Sequence, residues 1–221
     1  MLKYGYASFV FLAMFVVSQT ALGDFWVNEL NYESDPNVEI VRSPISAAVD
    51  LNTVTWHLYN GANGTVYSQI PLNTFTVGSS TNGYTIFRLS GFTIQSGNPS
   101  GQADSPDGWA ISVGGTVVEF KSYEGSFTAT NGVAAGLTSA DIGVRQDTGF
   151  PSQASSQLTG TGNKASDFGW IPGQGPSYGQ VNLSQTLTAV PEPSSMVLIG
   201  LVACTLLVRR MKKTRCHVNN I

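Results

Sequence analysis

The residue types needed for acid–base or metal chemistry are scarce in this 221-residue sequence. Between residues 24 and 189 there is one histidine, His57, and no cysteine. His57 lies in the β-prone segment Val54–Tyr59, and no Gly-x-Ser-x-Gly nucleophile turn is nearby. One histidine without cysteine cannot complete a closed zinc site. We therefore interpret His57 as an ordinary strand residue and expect no enzyme activity, although counting alone leaves a Ser-His-Asp site open.

Asp104 and Asp107 are the candidates for a metal site. They flank Ser105-Pro106 in a stretch rich in glycine, proline and serine, and hard cations such as calcium prefer oxygen ligands. The spacing is not that of an EF-hand loop, and an Asp-Gly turn before a strand explains Asp107-Gly108 equally well. Calcium is thus the one cofactor that the sequence suggests, as an alternative to a plain turn.

Carboxylates and aromatic rings supply the remaining candidates. Four acidic residues that we expect to be solvated charges at strand ends are Glu29, Glu33, Asp35 and Glu39. A hydrolytic carboxylate pair needs a defined separation across a cleft, which a sequence does not give. The aromatic residues to test for stacking on carbohydrate are Trp109, Trp170 and Tyr178. Since large aromatic side chains dominate sandwich interiors, we expect Trp56 and Trp109 in the core.

Short β-prone runs separated by turn residues must position these side chains. Two such runs flank Gly114-Gly115, and glycine adopts the positive φ angles of a tight turn without steric strain, so we predict a β-hairpin there. Strands at intervals of about ten residues favour an all-β sandwich over a parallel sheet, and the polar region 122–189 is expected to add mainly loops and edge strands. The predicted strands are Phe25–Asn31, Val38–Val41, Val54–Tyr59, Thr65–Ile70, Tyr84–Leu89, Gly108–Val113, Thr116–Lys121 and short pieces near Ile142 and Phe168.

The first 23 residues have the three parts of a secretory signal peptide. Lys3 precedes the apolar run Ala7–Val17, and Ala21-Leu22-Gly23 offers small residues for cleavage. As a helix, the run would span only about 16 Å at about 1.5 Å per residue, against roughly 30 Å for a bilayer core. We expect an N-terminal signal helix that is removed near Gly23-Asp24.

The last 32 residues, 190–221, have a different tripartite pattern. Pro191, Glu192 and Pro193 precede the apolar run Met196–Val208, which we predict to be a short transmembrane helix that serves as a transient anchor. The basic residues that follow favour the cytoplasmic side of the membrane: Arg209, Arg210, Lys212, Lys213 and Arg215. This order resembles the PEP-CTERM sorting signal. The resemblance implies recognition by an exosortase, a membrane-embedded cysteine protease-like enzyme, and export to the cell surface or extracellular matrix.

Without its two ends, the chain is acidic and free of thiols. Residues 24–189 contain 13 acidic and five basic residues, a net charge of −8, and both cysteines, Cys204 and Cys216, lie in the tail. A negative domain repels phosphate backbones, which argues against nucleic-acid binding. Without disulfides, a single domain of this size must rely on its hydrophobic core, and such a domain buries roughly 70% of its unfolded surface on folding.

Residues 24–189 also resemble the lamin-tail domain of secreted bacterial proteins. The resemblance implies an immunoglobulin-like β-sandwich with an adhesive or structural attachment role, and a fold more firmly than a function. The segments that carry it are Val27–Tyr32, Asp50-Leu51, Trp56–Gly61, Ser105–Gly108, Ser122–Ala129, Gly136–Val144, Leu158–Gly162 and Asp167–Trp170.

Together these features predict an exported, non-enzymatic protein of the cell surface or extracellular matrix. Before processing it would be anchored in the inner membrane by its C-terminal helix. Its expected partners are an exosortase-type enzyme, the membrane and an extracellular polysaccharide. The alternative is an accessory binding module, or a hydrolase, that acts on an extracellular polymer.

Overall fold

The computed structural model describes residues 24–33, 35–96, 106–146, 150–151 and 153–190. These residues form two β-sheets joined by turns and short 3-10 helices, and the strands, numbered along the chain, are β1 Phe25–Asn31, β2 Asn37–Arg42, β3 Val54–Asn60, β4 Thr65–Pro71, β5 Thr76–Thr81, β6 Tyr84–Ser90, β7 Asp107–Val113, β8 Thr116–Tyr123, β9 Ala140–Asp141, β10 Ser155–Gly162, β11 Gly169–Gln174 and β12 Gln185–Leu187.

The two sheets differ in size and in strand order. The larger sheet runs β11-β10-β1-β2-β6-β5, with β12 parallel to β10. The smaller sheet runs β4-β3-β7-β8-β9, and its last pair is parallel. All other neighbouring strands named here are antiparallel. The arrangement confirms the all-β sandwich predicted from the strand spacing.

The core lies between the two sheets and takes apolar residues from both. Val27 and Ile40 of the larger sheet and Trp56, Trp109 and Ile111 of the smaller one are buried in a single cluster. This burial confirms the expected core positions of the two tryptophans. Fully burying each such side chain stabilises the fold by roughly 1.5–3 kcal/mol.

Two β-bulges, one in β1 and one in β8, change which side chains of these strands face the core. In β1, Val27 pairs with Ile40 but Glu29 pairs with Glu39, so Asn28 is an extra residue. In β8, Glu119 pairs with Ile111 and Val117 with Ser112, so Val118 is the extra residue. Beyond each bulge the inward and outward faces are exchanged relative to simple alternation.

The polar region 122–189 is more regular than its composition suggests. β9 and β11 are edge strands, as expected for this region, but β10 lies between β11 and β1 inside the larger sheet, where no interior strand was expected. Ser155, Ser156 and Gln157 are buried in β10. The side chains of these three residues are all hydrogen-bonded to other groups inside the fold. A polar segment can therefore form an interior strand.

The predicted hairpin at Gly114-Gly115 is confirmed, since both residues have positive φ, +56° and +82°, between β7 and β8.

A Cβ at Gly115 would meet no heavy atom within 4 Å. We therefore expect Gly115→Ala to lower the free energy of unfolding by about 1 kcal/mol through backbone strain alone. Gly114→Asn is the control, because asparagine tolerates positive φ. Equal losses in the two variants during urea unfolding would contradict this interpretation.

The predicted signal helix and the C-terminal apolar helix lie outside the described residues. Within the described ranges, no helix has the length and hydropathy needed to cross a membrane.

Candidate functional site

A cleft of about 560 Å³ opens between the two sheets, beside β8 on one side and β10, β11 and the 3-10 helix Ala165–Asp167 on the other. This volume falls within the range of ligand-binding pockets in proteins. Its lining combines ionisable, hydroxyl and aromatic groups: Asp24, Phe25, Val118, Glu119, Phe120, Lys121, Leu158, Ala165, Ser166, Phe168 and Trp170.

Glu119 is the most firmly positioned polar group in the cleft. Its Oε2 atom accepts hydrogen bonds from Trp109 Nε1 at 2.7 Å and from the Val27 backbone N–H at 3.0 Å. Burial raises the pKa of the Glu119 carboxyl to about 7, against the opposing effect of these two donors. The carboxyl is therefore held in one orientation and changes charge near neutral pH.

Two other ionisable groups line the cleft with Glu119. Burial, followed by the nearby Asp167 carboxylate, raises the pKa of Asp24. Lys121 occupies the next inward position of β8, opposite Trp109, and its positive charge favours the ionised form of Glu119. Both Asp24 and Lys121 are partly exposed. The cleft thus presents two carboxyl groups and one ammonium to solvent.

The aromatic wall of the cleft is held by packing against buried rings. Trp170 meets the buried Trp109 edge-on at a centroid distance of 6.1 Å. Phe168 stacks on the buried Trp26 at 6.4 Å, with an angle of 26° between the planes. Both Trp170 and Phe168 remain partly exposed. They form a rigid apolar surface next to the fixed carboxyl of Glu119.

A second polar cluster lies on the opposite face of the larger sheet and is buried. Glu29 and Glu39 have no exposed surface, so the expectation of solvated charges is wrong for both. The β1 bulge turns Asn28 and Glu29 to the same face, next to Glu39 on β2. Glu33 is partly exposed and Asp35 is exposed, as expected for strand ends.

Glu29 fastens the segment 175–185 onto the sheet. It accepts hydrogen bonds from Ser155 Oγ at 2.6 Å, from Gln157 Nε2 at 3.0 Å, and from both the backbone N–H and the hydroxyl of Ser177, at 3.0 and 2.9 Å. These donors oppose the effect of burial, which on balance raises the Glu29 pKa. The carboxyl is a structural crosslink with all its oxygen atoms engaged.

Glu39 completes the cluster on the neighbouring strand. Its Oε1 accepts from Asn28 Nδ2 at 2.7 Å, and its Oε2 accepts from the Gly179 N–H at 2.8 Å. Burial, together with the neighbouring Glu29 carboxylate, raises the Glu39 pKa to about 8. Asn28 is also paired with Gln185 through two amide hydrogen bonds of 3.0 and 2.7 Å. Near neutral pH this buried pair of carboxyls therefore retains a proton.

His57 has a serine neighbour but no orienting acid among its hydrogen-bond partners in the described residues. Its Nε2 lies 2.8 Å from Ser112 Oγ, while Nδ1 is buried without a partner. The two residues are only 5% and 3% exposed, and burial lowers the His57 pKa. A catalytic triad would need a third group on Nδ1 and access for a substrate, so the geometry favours the strand-residue interpretation.

Of the two calcium candidates, Asp107 lies among the described residues. Asp104 lies outside the described residues, whereas Asp107 begins β7 and is 5% exposed. Its Oδ1 accepts a hydrogen bond from the Gly61 N–H at 3.0 Å. Among the described residues there is no group of three or more potential metal ligands. The Asp107 carboxyl thus connects the start of β7 to the turn that follows β3, and calcium binding stays a prediction.

The aromatic candidates fall in three different environments. Trp109 is fully buried, and Trp170 lines the cleft. Tyr178 lies elsewhere, under the Arg88 guanidinium at 5.3 Å from the ring centroid. Sequence reasoning therefore identified one aromatic residue of the cleft but missed its ionisable residues, Asp24, Glu119 and Lys121.

One family model matches the chain: the PEP-CTERM protein-sorting motif, over residues 189–213. No curated protein and no solved structure matches the sequence significantly. The matched segment contains Pro191, Glu192, Pro193, Arg209 and Arg210. The motif implies export, a membrane-anchored sorting step and processing by an exosortase-type enzyme, so the chain is a sorted export substrate that carries a β-sandwich.

Proposed function

We propose that the protein is a non-enzymatic structural or adhesive component of the cell surface or extracellular matrix, delivered there by exosortase-type sorting. The sandwich would be of the lamin-tail type, as the segments quoted above suggest. The two-sheet architecture with one shared core supports this assignment of fold type.

The observation that carries the proposal is where the fold ends relative to the sorting motif. β12 ends at Leu187, and the Thr188 N–H donates to the Gly162 carbonyl at 2.8 Å. The Thr188 carbonyl accepts from the Tyr84 hydroxyl at 3.0 Å. Since the motif begins at residue 189, removal of the tail after residue 190 leaves the strands β1 to β12 of the described residues in place.

Sorting and function can be tested together in the cells that make the protein. The triple variant Pro191→Ala/Glu192→Ala/Pro193→Ala should remain in the membrane fraction, while the wild type should be recovered from the surface or matrix. Ser194→Ala/Ser195→Ala is the matched control and should behave as wild type. Release of the triple variant at the wild-type level would contradict the sorting proposal, and unchanged matrix cohesion after gene deletion would contradict the structural role.

An accessory binding module or hydrolase is the second candidate, and the cleft is the observation that favours it. Glu119, with its pKa near 7, and Asp24 are the two carboxyl groups that such chemistry would use. We expect the mature protein to release no reducing ends from polysaccharides. Turnover that disappears in Glu119→Gln would replace the non-enzymatic proposal with the hydrolase.

A further inference from the structure

The inward face of β8 departs from the usual composition of a sandwich strand. Inward positions normally carry apolar side chains, but here Glu119 and Lys121 lie on the inward face, paired with Ile111 and Trp109. The fold holds these charged groups at the boundary of its core, where burial already raises the pKa of Glu119. Because burial of charge costs free energy, charged side chains at these two positions lower the stability of the fold.

The hydrogen bonds of Glu119 leave one of its oxygen atoms available. Both donors, Trp109 Nε1 and the Val27 N–H, contact Oε2. Oε1 has no hydrogen-bond partner among the described residues. Because Oε2 is held by two groups that are themselves part of the buried core, Oε1 is a pre-positioned acceptor in the cleft.

The shape and charge of the cleft select the ligand class. Trp170 and Phe168 offer apolar ring surface, and Glu119, Lys121 and Ser166 offer polar groups beside it. Sugar rings combine one apolar face with a rim of hydroxyl groups, and so match both parts of this lining. The whole region 24–189 has a net charge of −8. Anionic sugars are therefore disfavoured.

We propose that this cleft binds a neutral or amino-bearing sugar residue of an extracellular polysaccharide, with Trp170 against the sugar ring and Glu119 accepting hydrogen bonds from its hydroxyl or amino groups. The inference rests on the proposed function, since it names what the exported sandwich would hold in the matrix. It assigns the adhesive role to one face of the molecule.

Calorimetric titration of the mature protein, purified from the extracellular fraction, tests the proposal. The probes are cellohexaose, a glucosamine hexamer and an oligoguluronate. We expect binding of at least one of the first two and none of the third. Glu119→Gln and Trp170→Ala should each weaken this binding about tenfold or more. In Glu119→Gln the amide oxygen can still accept from Trp109 and Val27, so the fold is kept while the group facing the cleft becomes a donor.

Tyr178→Ala is the matched aromatic control, because Tyr178 lies outside the cleft, and it should bind as wild type. If Trp170→Ala lowers the melting temperature, Glu119→Gln decides the question. Binding of the oligoguluronate alone, equal loss in Tyr178→Ala, or no binding to any probe would each overturn the proposal. A protein that reaches the matrix normally but binds no probe overturns this inference and leaves the sorting proposal standing.

Discussion

Glu29→Ala should reduce the free energy of unfolding by about 3–5 kcal/mol, because removal of one partner from a buried charged network leaves the others without an acceptor. The groups deprived of an acceptor would be Ser155 Oγ, Gln157 Nε2 and the backbone N–H and hydroxyl of Ser177. The segment that carries Ser177 would also lose three hydrogen bonds to the larger sheet. Chemical denaturation followed by tryptophan fluorescence measures the change.

The matched control for Glu29→Ala is Asp141→Ala. Asp141 is exposed and accepts one hydrogen bond, from the Gly143 N–H at 3.0 Å. We expect its loss to change stability by about 0.5 kcal/mol or less, as for ordinary surface substitutions. Equal effects of the two substitutions would show that the Glu29 network does not stabilise the fold.

Glu39 should make the protein less stable as the pH rises from about 5 to 8. Its pKa is raised from 4.5 in the unfolded chain to about 8 in the fold by burial and by the adjacent Glu29 carboxylate. The folded state therefore holds a proton that the unfolded state releases, so stability is fully present below pH 4.5 and is lost as the pH rises through about 8. The loss is on the order of 3–5 kcal/mol for this group.

Glu39→Gln should remove most of this dependence, since glutamine resembles the protonated carboxyl. The amide oxygen would accept from Gly179, and its NH2 would face Asn28. The side-chain amides of Asn28 and Gln185 can then rotate together by 180° and keep their mutual hydrogen bonds. The variant should match the wild type at pH 5 and exceed its melting temperature at pH 8.5.

The groups facing Glu39 are Glu29 and Asn28 of β1, Arg88, which is paired with Glu39 on β6, and the backbone N–H groups of Gly179 and Gln180. The contribution of Glu119 to the pH dependence is separable, because Glu119, with its pKa near 7, lies in the cleft on the opposite face of the sheet. Glu119→Gln is thus a second, independent test of the pH dependence. A Glu39→Gln variant with the same pH–stability profile as the wild type would contradict the role assigned to Glu39.

The strand pattern and the hairpin could be predicted because they depend on local properties. Alternation of apolar residues placed β1, β3, β7 and β8 within a residue or two of their observed bounds, and Gly114-Gly115 marked the turn. The strand β10 was missed because its buried residues, Ser155 to Gln157, are polar and are satisfied by distant partners such as Glu29. No local pattern contains that information.

The candidate site could not be predicted for a related reason. Simple alternation in β8 would place Val118 and Phe120 inward and Glu119 outward, but the bulge at Val118 reverses the faces. The bulge at Asn28 likewise turns Asn28 and Glu29 to one face. Bulges depend on pairing between strands, so a single strand sequence does not reveal them. Trp170 was identified because the tryptophan residue type is itself a candidate for stacking on a ligand.

The most direct test of the account is the intact mass of the protein recovered from the cell surface and the surrounding medium. Sorting at the motif over residues 189–213 predicts a chain that begins near Asp24 and ends close to Pro191, without the apolar and basic tail. Recovery of the uncut chain, from Met1 to Ile221, in the cytosolic fraction would contradict the account.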